Sequence, residues 1–105
     1  MALMQISIIP MGTQTPSVSE YVADVQELLQ KSNFHYELND MGTVLYGSTK
    51  DLLEIATQIH GLPFTQGAKR VVTNIVIDER RDKEPHIGDK KTTVVDILKI
   101  RSNEI

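Results

Sequence analysis

From Val71 to Ile77, five of seven residues are Val or Ile, and this run limits the possible folds more than any other part of the chain. Such β-branched side chains suit a pleated surface, so the run predicts a strand opening at Arg70. By alternation, Thr73 shares a face with Val71, Ile75 and Ile77, while Asn74 points the other way. Every residue from Asp78 to Lys83 is charged, and both signs are present. A strand continuing into this knot would be longer than a small sheet needs. Its far end would project past the sheet, toward another subunit or a polar site.

The elements before this strand follow from periodicity. Met4, Ile6 and Ile8 alternate with Gln5 and Ser7, the pattern of a half-buried strand. Pro10, Gly12 and Pro16 punctuate a loop. Ser17 and Glu20 have capping-box spacing, in which the hydroxyl accepts from a free backbone N–H and the carboxylate reaches back to the cap. Val18, Tyr21, Val22, Val25, Leu28 and Leu29 then recur at helical spacing to about Lys31. Phe34, Tyr36 and Leu38 alternate with His35, Glu37 and Asn39, giving a second strand. Asp40-Met41-Gly42 is a turn, and Thr43 to Ser48 a third strand paired as a hairpin. Ser48 or Thr49 caps a second helix with Leu52, Ile55, Ala56 and Ile59 on its apolar stripe, and Gly61 and Pro63 fit its end.

Strand, helix, strand, strand, helix, strand is the split β-α-β order of an α+β, ferredoxin-like βαββαβ sandwich. Right-handed crossovers place both helices on one face of an antiparallel sheet. The open face predicts association of subunits through sheets or sheet edges. The tail is ambiguous by pattern. Val94, Val95, Leu98 and Arg101 line one side of a helix, whereas Thr92, Thr93, Val94, Val95 and Ile97 equally favour a strand. A C-terminal helix packed on a neighbouring element is the expectation. The 105 residues fit one domain, with a core of 1–83 and an extension of 84–105.

Composition removes several function classes. A net charge of −3 and a pI near 5.5 argue against nucleic-acid binding. With no cysteine there is no disulfide, thiolate metal site or Cys nucleophile. The first residues lack the basic region and apolar run of a signal peptide, no segment has membrane-spanning length, and a cytoplasmic location is expected. His35, His60 and His86 fall in different elements without ligand-like spacing, so neither metal nor cofactor is expected.

Three sequence words occur on these elements in order. They are Ile8-Ile9-Pro10-Met11-Gly12-Thr13 followed by Ser17-Val18-Ser19-Glu20-Tyr21-Val22-Ala23, then Met41-Gly42-Thr43-Val44-Leu45-Tyr46-Gly47, then Gly67 with Arg70-Val71-Val72-Thr73 and Ile77 to Lys83. Together they resemble the small thiamine-binding protein family. The resemblance implies a ferredoxin-like fold, a homodimer or homotetramer, and binding of thiamine or its hydroxymethylpyrimidine part without known catalysis. One position departs from it. The family's third strand usually carries an acidic residue where this chain has Tyr46, which can stack and hydrogen-bond but carries no charge at pH 7.

Thiamine needs in-plane donors and acceptors for its aminopyrimidine, an aromatic face or carboxylate for its thiazolium, and an apolar slot. The candidate ligand-binding residues are Thr13, Ser17 and Ser19 at the first helix, Thr43 and Tyr46 on the third strand, and Thr73 and Asn74 on the fourth. Five of them have a plainer reading. Ser17 is accounted for as a cap, Thr43 as the end of a turn, Tyr46 as core, Thr73 as a tolerated strand threonine, and Asn74 as an interface residue. Asp78, Arg80, Arg81 and Asp82 are expected to form ion pairs between subunits, with phosphate binding as the other use of the cations. The rival overall reading is an oligomeric regulatory or protein-interaction subunit without a small-molecule ligand.

Overall fold

The computed structural model describes residues 1–12 and 18–103. Seven elements follow one another: β1 (Ala2–Met11), α1 (Ser19–Gln30), β2 (His35–Asn39), β3 (Gly42–Gly47), α2 (Thr49–Thr65), β4 (Arg70–Glu79) and α3 (Asp89–Ser102). The four strands form one antiparallel sheet in the order β2-β3-β1-β4, as the ferredoxin-like pattern requires. Ala2, Met4 and Ile6 of β1 and Leu45 of β3 face the two helices. They meet Val25 and Leu29 of α1 and Leu52, Ile55, Ala56 and Ile59 of α2 in a single core.

Pairing register assigns the two faces, because residues directly opposite in an antiparallel pair point the same way. Ile8 lies opposite Thr73 and Ile6 opposite Ile75, so these belong to the helix face. Ser7 lies opposite Asn74 and Leu3 opposite Tyr46, so these belong to the other.

Four boundaries differ from the sequence expectation. Pro10 lies inside β1, not in a loop. β3 pairs with β1 only as far as Ile6, so beyond it β1 has one neighbour and a residue without an N–H fits in register. The second helix does not stop at Gly61 but carries Pro63 inside its last turn and runs to Thr65. The stop is Gly67, at φ +95°. Its N–H donates to the Phe64 carbonyl and that of Ala68 to the Pro63 carbonyl, at 3.2 and 3.0 Å, the pair of hydrogen bonds of a Schellman cap. β4 does not project past the sheet, because β1 is equally long and Ala2 pairs with Glu79. The chain then turns at Arg80, where Arg80 pairs with Asp82 and Arg81 with Glu79, each only two residues away. At the first helix, Ser17 of the expected capping box lies outside the described residues. Val18 is the N-cap, without a side-chain cap bond.

Ser48 caps α2 as expected, its hydroxyl accepting from the Asp51 N–H at 3.1 Å. The tail resolves to helix, yet no residue of α3 is buried. The expected docking on a neighbouring element is absent within the described residues of this chain.

Candidate functional site

A partly enclosed cavity lies between α1, the β2–β3 turn and the sheet. It has a volume of about 190 Å³, and its walls include apolar side chains of the sheet and both helices, among them Ile6 and Ile8, Val22 and Val25, and Leu38 and Ile59. Gly42 sits at one side, where the chain must run close to β1. A Cβ there would lie 2.9 Å from the Ile6 carbonyl oxygen, so only glycine fits without moving backbone.

Polar groups in this cavity are few and convergent. Thr43, in β3, is only 4% exposed. Its hydroxyl oxygen accepts from the side-chain amide of Gln26, on α1, at 3.1 Å. The threonine O–H and the rest of the amide keep donor and acceptor capacity for a bound molecule. Asn39, at the end of β2, and Asp40, in the exposed turn that follows, stand at the rim. Six of the lining residues, Val18, Val22, Gln26, Leu38, Asn39 and Asp40, also border a wider, open groove of about 1000 Å³ reaching along α1 past Ser19. A narrow apolar slot with an amide–hydroxyl pair, continuing into a groove with a carboxylate at its edge, can hold a flat ring and leave a cationic substituent near water.

The sequence candidates separate in space. Thr43 lines the slot and Ser19 the adjoining groove. Thr13 and Ser17 lie outside the described residues. Thr73 shares the helix face but borders a different, shallow apolar groove between α2 and β4, where its hydroxyl meets His60 Nδ1 at 2.6 Å. Asn74 is exposed on the opposite face of the sheet. Tyr46 also points away from the slot, since it alternates with Leu45. Its hydroxyl donates to the Glu84 carboxylate, and its ring stacks on His86 with centroids 5.6 Å apart at 29°. That hydrogen bond, then burial and the negative charge of Glu84, push the phenol above its ordinary value. Gln26, Asn39 and Asp40 escaped the sequence reading. Gln26 had a signal, as a polar residue four positions after Val22 beside the apolar stripe of α1.

The charged knot is paired locally. The Arg80 guanidinium grips Asp82 through two bonds of 2.9 and 2.5 Å and lowers its carboxyl pKa. Glu79 is also lowered, first by the Thr49 hydroxyl at 2.5 Å and then by Arg81 at 2.8 Å. The Arg81 side chain remains 89% exposed, and Asp78 is exposed on the sheet face opposite the helices. Among the described residues, no group of three or more His, Asp or Glu side chains is placed to hold a metal ion. None of the helices is long and apolar enough to cross a membrane.

The UPF0045 protein YqgV of Bacillus subtilis is 45% identical over 98 residues, which cover 90% of this chain and 94% of that one. A UPF0045 protein of Staphylococcus xylosus is 43% identical over 98 residues, covering 90% and 92%. Among solved structures, a hypothetical protein of Methanocaldococcus jannaschii superposes with a TM-score of 0.78 at 36% identity, covering 89% of this chain and 94% of that one. A Thermotoga maritima protein assigned provisionally to thiamine biosynthesis or salvage shares the fold, with a TM-score of 0.73 at 18% identity and coverage of 89% and 97%. The family described as thiamine-binding protein matches residues 4–95. This chain is therefore a member of the thiamine-binding protein family.

Proposed function

We propose that the protein binds thiamine, or its hydroxymethylpyrimidine part, without transforming it, as a cytoplasmic oligomer that buffers or delivers the ligand. The observation that carries this reading is the Thr43–Gln26 pair at the slot between α1 and the sheet. An aminopyrimidine presents ring nitrogens as acceptors and an amino group as donor in one plane. A hydroxyl and an amide converging in an apolar slot answer both. The slot is below the roughly 300 Å³ usual for a drug-sized ligand, which suits one ring inside and the thiazolium in the wider groove. There Asp40 supplies a carboxylate at the edge of the groove, on the face of the sheet opposite Tyr46. Family membership and the thiamine-related assignment of the Thermotoga maritima protein support the ligand class.

Calorimetry with thiamine and with hydroxymethylpyrimidine tests the reading. Saturable heat is expected for both, with one site per chain. In Thr43→Val the affinity falls about 5- to 30-fold, the effect of losing one buried hydrogen bond and stranding the Gln26 amide. No heat and no thermal shift at millimolar ligand would overturn it.

A further inference from the structure

We infer that α3 is an exchanged element: the helix of one copy covers the bare sheet face of a second copy, and the second returns its own. This rests on the oligomeric part of the reading above, and not on the ligand. Isolated helices of about 12–15 residues are marginal in water, and their stability comes mainly from packing one face. α3 has 14 residues and buries none of them. It exposes Val94, Val95, Ile97, Leu98 and Ile100, with Leu98 at 54%. Val94, Ile97 and Leu98 share one side of the helix, while Val95 and Ile100 lie on others.

The complementary surface is on the same molecule. Both α1 and α2 lie across the other face of the sheet. The face away from them presents Ile9, Met11 and Val76, with Val76 65% exposed, and the partly covered Leu3, Val44 and Val72. Charge agrees with apolarity. α3 carries four cations and two carboxylates, a net +2, whereas residues 1–88 carry a net −4.

The chain's own helix buries no residue against its own sheet. The segment before α3 is fastened, with Pro85 buried, Glu84 held by the Tyr46 hydroxyl and His86 stacked on the Tyr46 ring. Gly88, at φ +93°, then sets the left-handed N-cap from which α3 departs. The result is a molecule 57 Å long with a radius of gyration of 16.6 Å, against about 13 Å for a compact chain of this length. The dimensions allow exchange. A helix of this length spans about 21 Å, and a ten-residue strand about 33 Å. To reach the roughly 1600 Å² of a standard stable interface, two reciprocal dockings need hide only about 400 Å² on either side. A two-fold arrangement satisfies both helices and both faces at once.

Sedimentation velocity on the full chain tests the assembly. The unaltered protein is expected to be a dimer or larger at micromolar concentration. Leu98→Asp and Val76→Asp are each expected to raise the dissociation constant at least ten-fold. Leu98 lies outside the core, so its variant keeps the fold even where Val76→Asp does not. Because the chain has no cysteine, cross-linking identifies the occupant. Mixed Leu98→Cys and Val76→Cys chains should oxidise to a heterodimer. A monomeric unaltered protein, unchanged assembly in Leu98→Asp, or a cross-link formed only within a doubly substituted chain would each overturn the inference. Calorimetry with thiamine on Leu98→Asp reports on the ligand separately.

Discussion

Thr43 and Tyr46 are three residues apart on one strand, yet alternation sends them to opposite faces of the sheet. One is buried against Gln26 and the other is tied to Glu84 and His86, so they have separate roles. At the same scale, Glu79 and Asp82 have carboxyl groups held below their ordinary values of 4.5 and 3.8 by hydroxyl and guanidinium partners. A carboxylate with a folded pKa below its unfolded one stabilises fully above the unfolded value, and this is lost as pH falls through the folded value. Stability should therefore drop as acid is added below about pH 4.5, the usual range for Glu. The melting temperature of Glu79→Gln should fall less steeply there than that of the unaltered chain. An identical acid limb would show that these contacts do not contribute. Tyr46 has the opposite sense. Its raised phenol keeps its stabilising contact at neutral pH and loses it only above the ordinary value of 10.

At the scale of elements, the chain was legible where periodicity is long and illegible where a single residue decides. The alternation of β1, the Val/Ile run of β4 and the stripe of α2 each encode an element because burial repeats along them. The end of α2 is different. Gly61 and Pro63 both look like stop signals, but Pro63 is buried in the last turn and Gly67 makes the cap. Tertiary packing of Pro63 thus overrides its local preference. The slot was half legible for a related reason. Thr43 sits on a strand whose faces alternation assigns, whereas its partner Gln26 is distant in sequence and only the packing of α1 brings it there. The Gly67 cap makes a prediction. Gly67→Ala forces a side chain into the left-handed region, and the unfolding free energy should fall by about 1–2 kcal/mol. A urea titration should show a lower midpoint with unchanged slope. An unchanged midpoint would mean that another conformation can end α2.

For the whole molecule, the question is what a thin sheet with one covered face requires. The Arg81 side chain is 89% exposed and pairs with Glu79, two residues away, so its removal should leave the core intact. We expect Arg81→Ala to weaken assembly more than folding, and more so at low salt, where exposed charges act over longer distances. Sedimentation with an unchanged oligomer and an unchanged salt response would exclude the charged knot from the interface. The same molecule has a particular order of construction. The pairing of β1 with β4 joins position 2 to position 79, whereas β2 and β3 meet across a short turn. Contacts so distant in sequence form slowly, because a long loop must close before they contribute. During synthesis, β1 leaves the ribosome before both of its neighbours, and β4 is the last strand of the sheet to follow. Until β4 emerges, that side of β1 has no native partner, and the unfinished sheet is the state most exposed to mispairing in the cell.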